Sequence, residues 1–208
     1  MNAPLTVRAA AIAIALAGAS SLAAAQGASH GPVFDVLAGA GVVGPHAAPG
    51  IGRTDGLFAM AAVETRTPAT RLGFRLEARV QRQDLEFPTG GGVSGDVITP
   101  SLALAARVDI PAPRVVADVF TPYLLAGASL SRPSTRFAVA SSDPHVPDAA
   151  YAQTSSEIAE GTLAGLGVRF RVARAAAFAE LRYERLATAG RATTTSPLLV
   201  GLRVPLTR

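Results

Sequence analysis

Few side chains in this sequence are of a type and spacing that could do chemistry. There are three histidines, His30, His46 and His145, and no cysteine. None of the histidines sits in a His-Glu-x-x-His or comparable metal-ligating spacing. Without cysteine, neither a disulfide framework nor a thiolate zinc site can form. His145 with Ser141 and Ser142 is the nearest approach to a nucleophile and its base. No third group is placed to orient that histidine, so the segment reads as a solvated loop. Asp143, Asp148, Glu157 and Glu160 could hold calcium only loosely and read as loop charge. The Gly165-x-Gly167 pair lacks the following helix that a phosphate cradle needs. No catalytic residue, cofactor-binding residue or metal ligand is assigned, and a non-enzymatic protein without a cofactor is expected.

Charge is the richer signal. The 208 residues include 19 basic and 15 acidic side chains, a formal net charge of +4, and every basic residue is arginine. The arginines are spread along the chain among apolar residues, which argues against a nucleic-acid partner. Hydrophobic residues make up 49% and charged residues 16%, too apolar a balance for intrinsic disorder. Arg, Asp or Glu interrupts every apolar stretch after residue 25, which excludes a bundle of membrane helices. Residues 1–25 combine one charge, Arg8, an apolar run from Ala9 to Leu22, and Ala23-Ala24-Ala25 before Gln26. This is the pattern of a secretory signal peptide, leaving 26–208 as one exported domain.

The elements that would position the charges are strands. In Thr70–Gln83, Leu72, Phe74, Leu76, Ala78 and Val80 alternate with Arg71, Gly73, Arg75, Glu77, Arg79 and Gln81. A helix would scatter these charges around its circumference, whereas a strand sorts them onto one face. The same alternation recurs in 97–109, 161–172, 175–186 and 197–206, and more weakly in 33–43, 56–66 and 119–131. Most of these eight segments are longer than the ~5–6 residues usual in globular proteins and match the ~9–11 that cross a bilayer. The intervals 67–69, 110–118 and 173–174 are mostly short. The intervals 44–55, 85–96, 132–160 and 187–196 are mostly longer and rich in Gly, Pro, Ser and Thr. Short turns on one side and long loops on the other, with an even strand number, mark a transmembrane barrel.

Magnitude decides which face is which. Seven arginines (Arg75, Arg79, Arg107, Arg169, Arg171, Arg182 and Arg203) and five acids (Asp35, Glu64, Glu77, Glu180 and Glu184) share the polar face. One arginine on the lipid face near the midplane costs ~2–4 kcal/mol. Several would exceed a typical folding stability of ~5–15 kcal/mol. The polar face must line the interior, where opposite charges pair as a plug. The apolar face meets lipid, and Phe34, Phe74, Phe120 and Phe170 on it are predicted to form an aromatic rim at the short-turn end. Phe58 and Tyr183 are the candidates for the opposite rim.

The expected fold class is all-β: a single antiparallel eight-stranded up-and-down transmembrane β-barrel after an N-terminal signal peptide. Four segments carry a family resemblance: Pro122–Ala128, Gly161–Phe170, Phe178–Tyr183 and Pro197–Val204. They resemble strands of the small outer-membrane barrels of the OmpA/OmpX type, and the likeness extends over about residues 31–206. The resemblance implies a monomer in the cell outer membrane of a Gram-negative bacterium, in contact with lipid. It also implies a structural or surface-interaction role, with loop 132–160 as the place for an extracellular or host partner. Two other readings remain open at this point. A soluble, lipocalin-like periplasmic barrel would turn the apolar face inward around a ligand. A lipid-modifying enzyme would use His145.

Overall fold

The computed structural model describes residues 33–44, 52–67, 70–86, 93–111, 119–139, 149–154, 158–172, 175–188 and 191–206. The expected signal peptide, all three histidines, Ser141, Ser142, Asp143, Asp148 and Glu157 lie outside them.

The described residues form eleven strands and no helix. They are β1 (Val33–Val43), β2 (Gly52–Arg66), β3 (Leu72–Glu86), β4 (Val93–Asp109), β5 (Phe120–Ser131), β6 (Ser134–Val139), β7 (Ala149–Thr154), β8 (Ala159–Val172), β9 (Ala175–Thr188), β10 (Arg191–Thr195) and β11 (Pro197–Pro205). Eight of them close into an antiparallel barrel in the order β1-β2-β3-β4-β5-β8-β9-β11, with β11 returning to β1. Closure gives every stave two neighbours, so no backbone edge is left for a lipid environment that cannot hydrogen-bond it. Leu206 N–H donates to the Phe34 carbonyl at 2.8 Å and extends the β11–β1 seam by one more bond.

The three remaining strands revise the expected loops. β6 takes over from β5 beside β4, from Ile98↔Ser134 to Val93↔Val139, and β7 pairs with β6. The 132–160 interval therefore contains a hairpin. Similarly β10 pairs with β9 inside the interval 187–196. β3 continues through Glu86 and β4 starts at Val93, which shortens the expected 85–96 loop to 87–92. Gly, Ser and Thr signalled loops there, but a ladder already under way continues to satisfy backbone donors and acceptors beyond the membrane.

Side-chain alternation follows the sequence parity. Along β3, residues 73, 75, 77, 79, 81, 83 and 85 are buried, whereas Leu76 is 59% exposed. Leu102 on β4 and Leu202 on β11, both 60% exposed, belong to the same outer belt, as do Leu124, Leu166 and Leu181. Exposed leucine and valine on all eight staves form the apolar band expected of a membrane-spanning barrel.

Candidate functional site: the charged lumen

The lumen's buried charged side chains come from six staves. Register sets the first group: Asp35 on β1 pairs with Glu64 on β2, and Glu64 pairs with Arg75 on β3. Arg75 is fully buried. Its Nε donates to Glu64 Oε2 at 2.8 Å and its Nη1 to Glu180 Oε1 at 2.6 Å. Glu180 belongs to β9, four staves from β3 in either direction, so this bond crosses the barrel's diameter. Two further pairs take the same route. Arg182 grips Glu77 through two donors, at 2.7 and 2.9 Å, and Arg79 Nη1 donates to Glu184. Charge-assisted, two-donor guanidinium pairs are among the stronger hydrogen bonds in proteins.

Toward the turn end, Glu64 is shared further. Arg107 Nη1 donates to Glu64 Oε1 at 2.6 Å, and Arg203 Nη1 lies 2.9 Å from the same oxygen. Arg203 also pairs with Asp35, and Arg107 with Asp109. Arg169 lies 3.7 Å from Asp109 and donates to Thr121 Oγ1 at 3.2 Å, but its side chain is only part-buried.

Ten of the twelve charged residues singled out above are thus buried in one inward-facing array. Arg169 stands at its margin. Arg171 is the exception. It shares the parity but is exposed at the barrel's end, because β8 reaches its last residues there. Among the aromatic residues, Phe34 and Phe170 are 41% and 39% exposed, and Phe74 and Phe120 are half-buried, all near the turn end. Phe120 and Phe170 are register partners whose rings meet edge-on with centroids 5.4 Å apart. Tyr183 faces outward, but Phe58 does not join it in an opposite rim, because it is buried in the lumen.

Three aromatics not expected there, Phe58, Tyr123 and Phe178, also point into the lumen. Tyr123 O–H donates to Glu180 Oε1 at 2.6 Å, and Arg107 lies 4.1 Å from the centre of its ring. Arg182 lies 5.8 Å from the Phe58 ring and Arg75 5.9 Å from Phe178. Cation–π contact suits arginines that have left water. Parity was the available signal, since Phe58 and Phe178 fall in phase with the lumen charges of their strands and Tyr123 in phase with Gly127 on a strand without charges. Gly167 leaves the space for Tyr123: a Cβ there would lie 2.5 Å from Tyr123 Cζ. Leu37, Val43, Met60 and Leu199 join Phe58 and Phe178 in an apolar cluster, so the lumen is layered apolar and charged. Among the described residues no group of His, Asp or Glu is arranged to hold a metal ion.

The described residues thus enclose a barrel with charge inside and hydrocarbon outside. The chain has the fold of the small outer-membrane β-barrels. Its structure is similar to that of Neisserial surface protein A, with a TM-score of 0.51 and 18% identity over 84% of this chain and 99% of that one. It is also similar to a major outer membrane protein from Thermus thermophilus, with a TM-score of 0.61 and 14% identity over 85% of this chain and all of the other. No family model matches the sequence. No curated protein matches it either.

Proposed function

We propose that the protein is a monomeric, non-enzymatic integral barrel of the bacterial outer membrane, with a lumen closed by its own ion pairs. Its role on this reading is structural or surface-interacting. Residues 1–25 direct export and 26–208 form the single mature domain. The observation that carries the reading is the opposition of faces at neighbouring positions: Arg75 is fully buried while Leu76 is 59% exposed. A soluble lipocalin-like barrel needs the reverse, with leucine and valine inside around a ligand. Eight-stranded barrels have interiors just wide enough for side chains to fill, which fits the pairs that cross the diameter here. The side opposite the short turns, where β6 and β7 project, is the expected contact surface for an extracellular or host partner.

Electrophoretic mobility with and without boiling, membrane extraction and planar-bilayer recording test this together. The expected results are a folded form of distinct mobility, release only by detergent, and no steady pore current. Release by osmotic shock would overturn the membrane assignment, and a stable open-channel current would overturn the closed lumen. Residues 140–148 join β6 to β7. Replacing them with a short Gly-Ser link is expected to preserve the heat-modifiable form while abolishing adhesion to host cells or matrix. Unchanged adhesion would remove this loop from the contact surface.

A further inference from the structure

Charge in the lumen is unevenly divided. Around the centre, Arg75, Arg79 and Arg182 stand against Glu77, Glu180 and Glu184, three cations to three anions. At the turn end the described residues include Arg66, Arg71, Arg107, Arg169 and Arg203 but only Asp35, Glu64 and Asp109, five cations to three anions. A cleft opens at this end, lined by Glu64, Arg66, Arg71, Gly73, Arg107 and Asp109 together with Thr67. We propose that this turn-end mouth binds a phosphate group, held by Arg66, Arg71 and Arg107.

Donors in the cleft are left unused. Arg107 is 2% exposed, and its Nε has no hydrogen-bond partner. Arg66 Nε is likewise buried without one, and its ion-pair contact with Asp35 is 3.6 Å long. A buried donor without an acceptor is unfavourable, and an oxyanion would supply several acceptors at once. The two acids that line the cleft are already engaged. Glu64 is bound by Arg75, Arg107 and Arg203, and Asp109 by Arg107 and Arg169, so neither dominates the local field.

The turn also presents Arg71 in an unusual way. Its φ is +58°, a left-handed conformation uncommon for a residue with a side chain. Three backbone bonds hold it there: Thr67 N–H to the Leu72 carbonyl at 3.2 Å, Thr70 N–H to the Thr67 carbonyl at 3.2 Å, and Asp109 N–H to the Arg71 carbonyl at 3.0 Å. The exposed Arg71 side chain therefore starts from a fixed point on the cleft's rim. The guanidinium fork matches phosphate geometry better than a point charge does. The rim carrying Phe34 and Phe74 places the cleft at the level of lipid headgroups. The phosphate is either that of an anionic lipid or a free ion.

The test uses the folded full chain in dodecyl maltoside micelles, which contain no phosphate. Inorganic phosphate is titrated at constant ionic strength and followed by phosphorus NMR. Saturable binding is expected, weakened about tenfold or more in Arg71→Gln and in Arg66→Gln, the loss of roughly one charge-assisted bond. Arg136→Gln, on the exposed face of β6, serves as the remote control and is expected to bind normally. Arg71 is exposed, so its substitution leaves the heat-modifiable form intact. Competition by added phosphatidylglycerol assigns the site to a lipid headgroup, and its absence assigns it to the free ion. Non-saturable binding, or equal affinities in Arg71→Gln, Arg136→Gln and the parent, would overturn the proposal.

Discussion

Glu77 and Arg182 meet across the full width of the barrel, joined by two hydrogen bonds of 2.7 and 2.9 Å. They sit on β3 and β9, four staves apart, and both are completely shielded from solvent. No local element brings them together. Only closure does, and Arg75–Glu180 and Arg79–Glu184 repeat the connection.

Breaking that pair from one side is expected to be costly. Glu77→Gln leaves Arg182 with Glu180 as its remaining carboxylate partner. Removing one member of a buried pair typically costs ~3–5 kcal/mol, whereas replacing both with apolar groups is often close to neutral. Glu77→Leu with Arg182→Met should therefore be more stable than either single variant. Urea unfolding followed by the gel-mobility shift measures all three. Strictly additive losses would show that the two side chains do not depend on each other.

The outer belt gives a prediction of opposite character. Leu102 pairs with Ala78 on β3, midway between Phe74 at the turn-end rim and the outward-facing, exposed Arg82. Leu102→Arg places a guanidinium near the centre of the hydrocarbon and is expected to lower stability by ~2–4 kcal/mol in lipid vesicles. The same change at Leu206, level with Phe34 in the rim, is expected to cost less than about 1 kcal/mol. Equal effects at the two depths would contradict the placement of the membrane.

Gly167 and Tyr123 are a packing pair, and the cost of enlarging one depends on the other. Gly167→Ala would set a Cβ 2.5 Å from Tyr123 Cζ and displace the ring from Glu180. Overpacking of this kind costs ~1–3 kcal/mol. In a Tyr123→Ala background the same alanine has room, so a double-mutant cycle should show coupling of at least about 0.5 kcal/mol. A coupling near zero would mean that the loss at Gly167 has some other origin.

Spin labels offer a direct reading of the two faces. At Leu76 and Leu166 a label should partition with oxygen and be shielded from aqueous nickel chelates, as expected on a hydrocarbon-facing surface. At Arg171, exposed at the barrel's end, it should be accessible to the chelate. Reversed accessibilities would invert the barrel.

Much of the architecture was legible because period-two alternation is a local property. The parity of Arg75, Glu77 and Arg79 against Leu76, Ala78 and Val80 needs nothing beyond the strand itself. The cost of arginine in hydrocarbon then settles which set faces inward. Loop-like composition misled at 132–160 and 187–196. Serine, threonine and alanine pair readily once a neighbouring ladder offers them partners, as β6 does with β4.

The charged face and the lipid face could thus be assigned from the order of residues alone, because side-chain direction in a strand repeats every two positions. Tertiary structure alone decided which charges pair, since Arg75 finds Glu180 only when eight staves close at a particular stagger. It also separated Arg171, exposed at the barrel's end, from the part-buried Arg169 two residues earlier, because the end of a stave is defined by its neighbours. Parity is a short-range property of backbone geometry, whereas partnership across a diameter depends on the register of every ladder between the two residues.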